Sequence, residues 1–247
     1  AHPVSTVLGG LIVHPREQAG ALLRHYRDFM KTAPAELTVY AGMLCTPDGV
    51  PAAAVIPCHH GDPDRAERDL AGLRSFGEPL MEMIQPMPFP VMQSLLDDAF
   101  PSGTRNFWKQ TFLKEMSDDA IDVLVDHGNR MTSPLSSLVV EYYGGAGGRV
   151  GDGDNAFAQR QARFGVGIMA QWTDPAEDEA QIAWTRTAWD ALKPFSTGGY
   201  LLNFVPDEPP EVIRAAFGDS FERLVALKRK YDPTNFFSLN QNIRAAA

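Results

Sequence analysis

Cysteine is scarce: only Cys45 and Cys58 occur in 247 residues. Two thiols cannot supply the four ligands of a structural zinc site, and a chain of this length can bury enough apolar surface without disulfides. Basic residues are also in deficit, with 22 Lys and Arg against 31 Asp and Glu and a formal net charge of −9. A nucleic-acid binder needs a basic face to neutralise phosphates, and a membrane-surface protein needs a polybasic patch, so neither partner is expected. Long apolar runs are missing too. Stretches such as Ala52 to Ile56 fall far short of the ~20 residues that span a bilayer. No charged region precedes an apolar core near Ala1, so no secretory signal is visible, and a cytoplasmic location is expected. Absent as well are a G-x-S-x-G elbow, a G-x-x-x-x-G-K-S/T phosphate loop and a strand-to-helix G-x-G-x-x-G.

The hydrophobic and charged fractions, 44% and 21%, are those of a folded globular chain. Val7 to Val13 reads as a strand, and Ala19, Leu22, Leu23, Tyr26 and Met30 have the spacing of a helix face. Glu36 to Cys45 and Val50 to Cys58 flank the turn Thr46-Pro47-Asp48-Gly49, which predicts a hairpin. That hairpin sets Cys45 near Ala52 and Cys58 near Val39, too far apart for a disulfide. Free thiols fit a reducing compartment. Asp62-Pro63 opens a helix to Arg74, Leu80 to Ile84 is a short strand, and Pro90 to Asp98 a short helix. Asn106 to Leu113, Ser136 to Tyr143, Phe164 to Trp172 and Tyr200 to Val205 are further strands. Helices are predicted from Ser117 to Gly128, Asp174 to Leu192, Pro210 to Phe217 and Ser220 to Lys230. Strand pairs joined by short connections and interleaved with helices predict an α+β fold, an antiparallel β-sheet covered by helices on one face.

Several chemically suggestive clusters have plainer readings. Gly144 to Gly148 lacks the Lys-Ser/Thr and capped helix of a phosphate loop, and reads as a turn. His59 and His60 are neighbours on a strand and point to opposite faces, so they do not share a metal ion. His14, His25 and His127 have no spaced partners, and no metal is expected. Glu141 and Tyr143 share one strand face, where a carboxylate beside a phenol orients a substrate or tunes an acid/base group, or simply ends a strand. The residues alone leave both readings open. The stretch Tyr231 to Phe237 followed by Asn240, Gln241 and Asn242 joins aromatic side chains to amides that both donate and accept hydrogen bonds. Such a tail is ordered only when docked.

Lys228 to Phe237 with Asn240 to Ile243 resembles the C-terminal signature of the berberine-bridge-enzyme-like, FAD-linked oxidases. Phe107-Trp108-Lys109, Gly144-Gly145-Ala146, Ala156-Phe157 with Arg160, Trp172 before Asp174-Pro175, Trp184 with Trp189, Gly199 to Phe204 and Phe217-Gly218 follow in that family's order. The resemblance runs from about Leu8 to Ile243. It implies the substrate domain of a vanillyl-alcohol-oxidase-type fold, residues 1–205, and C-terminal helices with a tail, residues 206–247, that return to an FAD-binding domain. Nothing in the chain matches the flavin-binding half, so FAD is expected to be held mainly by that absent half, as a domain or a separate chain.

Three departures stand out. The family's Tyr-x-Asn pair is here Tyr200 and Asn203, its Tyr-Gly is Phe217-Gly218, and polar positions over the flavin are Gly165 and Gly167. In the family a hydride passes to flavin N5 while a protein base takes the hydroxyl proton. The resemblance makes Tyr200 the expected base, with Glu141 and Tyr143 as catalytic partners. It makes Trp108, Gly165, Gly167 and Met169 the substrate wall, and Asn240, Gln241 and Asn242 the flavin-facing residues. The implied substrate is an alcohol, sugar or related secondary metabolite. The rival reading is a free-standing ligand-binding module of the same fold without redox activity.

Overall fold

The computed structural model describes residues 3–151, 154–204, 210–239 and 242–243. Seven strands form one sheet: β1 (Thr6–Pro15), β2 (Leu37–Cys45), β3 (Pro51–His59), β4 (Met81–Pro88), β5 (Arg105–Leu113), β6 (Ser137–Tyr142) and β7 (Phe164–Trp172). Their order is β4-β1-β3-β2-β6-β7-β5, and every pairing is antiparallel. The helices are α1 (Ala19–Met30), α2 (Pro63–Arg74), α3 (Phe89–Gln93), α4 (Asp118–Asn129), α5 (Asp178–Leu192), α6 (Pro210–Phe217) and α7 (Phe221–Tyr231).

Local chemistry starts these helices where the sequence predicts. The Asp62 carboxylate accepts the Arg65 N–H at 3.0 Å ahead of Pro63, and the Ser117 hydroxyl accepts the Ala120 N–H at 3.2 Å. Each satisfies an amide that the first helical turn leaves unpaired. Helices α1, α2, α4 and α5 pack their apolar stripes onto one sheet face, where Leu22, Tyr26, Leu70, Ile121 and Ala188 meet Ile12, Val39, Val55, Val140 and Ile168. Tyr26 is fully buried, and its hydroxyl is satisfied by the Val39 carbonyl at 2.9 Å.

The opposite face is open and mostly apolar. Strand alternation and register place Met83, Leu11, Ile56, Tyr40, Val139, Met169 and Trp108 on it. The short helix α3 belongs to this side: a Cβ on Gly9 would lie 2.7 Å from the Met92 sulfur. The expected helix from Pro90 to Asp98 is therefore a five-residue helix followed by a 3-10 turn at Asp97–Ala99. Strand β4 runs on to Pro88, past two prolines. It tolerates them because it is an edge strand, where a missing N–H breaks no ladder on its free side. Beside it, Gly10 has φ of 147°, and a Cβ there would sit 1.6 Å from the Met83 carbonyl oxygen.

Two registers differ from expectation. Cys45 faces Pro51 and Cys58 faces Thr38, one residue from the predicted partners, because Thr46 and Val50 close the turn with a 2.9 Å hydrogen bond. Both thiols are free. The strand expected over Tyr200 to Val205 is absent as far as Phe204: Leu202–Phe204 is a single 3-10 turn. Gly198, at φ 79°, turns the chain off the sheet after one bridge between Ser196 and Leu113. The boundary expected at 205/206 lies outside the described residues, as do Asn240 and Gln241.

Beyond α7 the chain forms a hook. Asp232 accepts the N–H groups of Phe236 at 2.7 Å and Phe237 at 3.1 Å. Lys228 pairs with Asp232 and donates to the Phe237 carbonyl at 2.7 Å. Asn235, at φ 56°, makes the bend in a conformation that Asn tolerates better than most residues. Phe236, Phe237 and Leu239 stand 81%, 76% and 87% exposed.

Candidate active site on the open sheet face

Four neighbouring strands bring the polar groups of the open face together. Glu141 on β6 lies between Tyr40 of β2 and Gly165 of β7, and Gly165 in turn faces Phe112 of β5. One step along, Val139, Gly167 and Gln110 form the next row, and Met169 faces Trp108 in the row beyond. Glu141, Tyr143, Gly165, Gly167, Met169 and Trp108 thus share one face, as the period of two predicts.

The Tyr143 hydroxyl donates to Glu141 Oε2 at 2.7 Å. Its ring is fixed by Phe112, edge-on with centroids 5.1 Å apart, and by Phe157, stacked at 6.1 Å. This position exists because β7 carries glycine: a Cβ on Gly165 would lie 2.7 Å from the Tyr143 ring. At Gly167 a Cβ would make only ordinary contacts, the nearest atom being 3.8 Å away. Burial pushes the Glu141 carboxyl above the ordinary range, opposed by the Tyr143 hydroxyl. Burial, and then the Glu141 charge, push the Tyr143 phenol well up. Tyr143 is therefore a neutral donor at any ordinary pH, and Glu141 is the group of the pair that can exchange a proton.

Tyr200 stands elsewhere. Its ring lies 6.1 Å from Trp189 of α5, a side chain packed against the helix-side core. The chain then crosses to the open face, where the Leu201 N–H bonds Gln110 Oε1 at 3.0 Å and Phe204 stacks on Trp108 at 6.2 Å. The expected base is thus parted from Glu141, because the turn at Leu202–Phe204 replaces the strand that would have aligned them. Asn242, the described member of the amide trio, has a buried Oδ1 with no hydrogen-bond partner.

Gln110 did not emerge from the sequence. Only the sheet register shows that this residue, 3% exposed, belongs to the open face, and a polar residue in a strand is no signal by itself. Beside Tyr40 the face deepens into a cavity of about 610 Å³ under α3, lined by Tyr40, Ile56, Cys58, Met92, Leu95 and Leu96. Among the described residues no group of His, Cys, Asp and Glu could hold a metal ion, and no helix is long and apolar enough to cross a membrane.

Comparison with known proteins gives this geometry a setting. The family described as berberine and berberine like matches residues 202–244. An FAD-linked oxidoreductase of Dictyostelium discoideum is 29% identical over 98% of this chain and 53% of its own length. (R)-6-hydroxynicotine oxidase of Paenarthrobacter nicotinovorans is 25% identical over 78% of this chain and 44% of its own. Among solved structures, 6-hydroxy-D-nicotine oxidase from Arthrobacter nicotinovorans superposes with a TM-score of 0.82 at 23% identity, covering 98% of this chain and 56% of that one. A variant of berberine bridge enzyme in complex with (S)-reticuline superposes with a TM-score of 0.79 at 18% identity, covering all of this chain and 56% of that one. The chain spans about half the length of these relatives.

Proposed function

Since this chain is the counterpart, in sequence and in fold, of the substrate domain of berberine-bridge-enzyme-like FAD-linked oxidoreductases, we propose that it forms the substrate-side wall of an FAD-dependent oxidation of a small alcohol, sugar or related metabolite. The observation that carries the reading is the half-buried Glu141, held by the Tyr143 hydroxyl at 2.7 Å on a mostly apolar face. A carboxyl whose proton affinity is raised by burial suits a general base that takes a hydroxyl or amine proton.

The residues present fit a flavin. At Gly167 a Cβ would make only ordinary contacts, so this row presents backbone and not a side chain to a planar heterocycle, beside the Tyr143 ring that covers Gly165. The unpaired Asn242 Oδ1 offers an acceptor to a ring N–H. When bound, FAD would supply the two-electron acceptor. This chain's own part is to shape the wall with Trp108 and Met169, to fix Tyr143 with Phe112 and Phe157, and to receive a substrate proton on Glu141. Residues 1–205 serve as that wall, and residues 206–247 carry the exposed hook toward a flavin-binding half.

The chain by itself is expected to hold little or no FAD. The test is to combine it with a flavin-binding half from a relative and record the visible spectrum. A yellow complex that bleaches anaerobically when a panel of alcohols and sugars is added supports the reading. A colourless mixture in which the chain alone binds ligand makes it a binding module without redox activity.

A further inference from the structure

The cavity beside Tyr40, about 610 Å³, has the size of a small-molecule site, for which about 300–1,000 Å³ is usual. Its floor is two strands: Thr38 and Tyr40 of β2 stand opposite Cys58 and Ile56 of β3. Its roof is α3 with the turn after it, which supplies Met92, Leu95 and Leu96. Met92 seats α3 there because β1 offers bare backbone, a Cβ on Gly9 lying 2.7 Å from the Met92 sulfur. No Lys, Arg, Asp or Glu lines the space. The Thr38 and Tyr40 hydroxyls, on one strand face, have no hydrogen-bond partner among the described residues. Tyr40 is 36% exposed, so a ligand can reach it. Across from Tyr40, on the neighbouring strand, stands Glu141.

Such a lining selects by what it cannot solvate. A carboxylate or phosphate would enter without a counter-charge, and a sugar would leave most of its hydroxyls without partners. An apolar body gains by leaving water. We propose that this cavity binds the non-reacting body of the substrate, and that the substrate is a neutral aromatic or alicyclic alcohol whose polar end lies at Thr38 and Tyr40. Calling the ligand a substrate rests on the functional reading above, whereas its chemistry rests on the cavity's own lining.

Cys58 reports on occupancy, since it lines the cavity. Cys45 is the control: by strand alternation it shares the helix-side face with Val39 and Ala41. Peptide mass spectrometry follows alkylation of the folded chain by N-ethylmaleimide. Added 2-naphthol is expected to slow modification of Cys58 in a saturable way and to leave Cys45 unaffected, while glucose slows neither. Naphthalene, which lacks the hydroxyl, should protect Cys58 with a midpoint about 5-fold higher, the worth of one hydrogen bond. Replacing both hydroxyls, by Thr38→Val with Tyr40→Phe, should close that gap. Ile56→Trp fills the floor and should abolish protection. Met92→Ala thins the roof and should weaken protection, which keeps the test decisive if the larger side chain is not tolerated. A Cys58 rate that 2-naphthol leaves unchanged, protection that glucose shares, or protection kept in full by both Ile56→Trp and Met92→Ala overturns the proposal. These titrations need no flavin. A colourless complex with the flavin-binding half would end the redox reading and leave the cavity's ligand standing, and an unprotected Cys58 in a chain whose complex bleaches with alcohols would do the reverse.

Discussion

Tyr143 and Glu141, two residues apart on one strand face, share a hydrogen bond of 2.7 Å from the phenol to the carboxylate. The bond works against burial. It favours the charged carboxylate, while the surroundings favour the neutral acid.

Tyr143→Phe should therefore raise the pKa of Glu141 further. If the flavin-loaded protein uses Glu141 as base, the acid limb of its pH–rate profile moves to higher pH in this variant. Glu141→Gln should lower turnover by about 10²–10⁴-fold with substrate binding retained. A Glu141→Gln enzyme at full speed would show that the proton leaves by another route.

The same residue has a stability signature. The folded pKa of Glu141 is raised, so its contribution to stability is complete below the ordinary glutamate range and is lost as pH rises through the folded value. Glu141→Gln escapes that loss. Its melting temperature at neutral pH should therefore exceed that of wild type. The gap should close on acidification below the ordinary glutamate range. Thermal melts across pH check both parts, and a lower melting point at neutral pH contradicts the argument.

Gly165→Ala and Gly167→Ala should part company. At 165 the new methyl meets the Tyr143 ring, which Phe112 and Phe157 hold in place, so overpacking should cost about 1–3 kcal/mol. At 167 the methyl makes only ordinary contacts, and removing a strand glycine should be neutral or favourable by up to about 1 kcal/mol. Urea unfolding of the two variants decides it. Equal stabilities would mean that Tyr143 moves aside freely.

Alkylation of the denatured chain without reductant should add two groups, one each on Cys45 and Cys58, both free. In the folded chain Cys58 should react slowly, since burial pushes its thiol above the ordinary range and depletes the reactive thiolate. Mass spectrometry counts the adducts, and a chain that takes none when denatured would carry a disulfide.

Sheet pattern was legible where one rule governs one segment. Phe164 to Trp172 is an uninterrupted β-prone run, and it forms β7 with those bounds. Alternation alone put Glu141 and Tyr143 on one face. What failed was whatever depends on a second segment. Leu201 to Phe204 has strand-like composition, but Gly198 and Gly199 precede it, and Gln110 takes the amide that a ladder would need. Tyr200 was misplaced for that reason, and Gln110 was invisible because its meaning lies in a register spanning β5, β7 and β6. The hairpin carrying the cysteines was placed correctly but slipped by one residue. Composition names the turn and does not count its closing bonds.

The hook after α7 changes how an association through this tail would proceed. Asp232, Lys228 and Asn235 hold the backbone in shape before anything touches Phe236, Phe237 and Leu239. A surface that receives these side chains meets a pre-shaped plug, and little ordering entropy is left to lose on contact. Docking then resembles the joining of two finished parts, with a rate set by encounter and orientation rather than by folding of the tail.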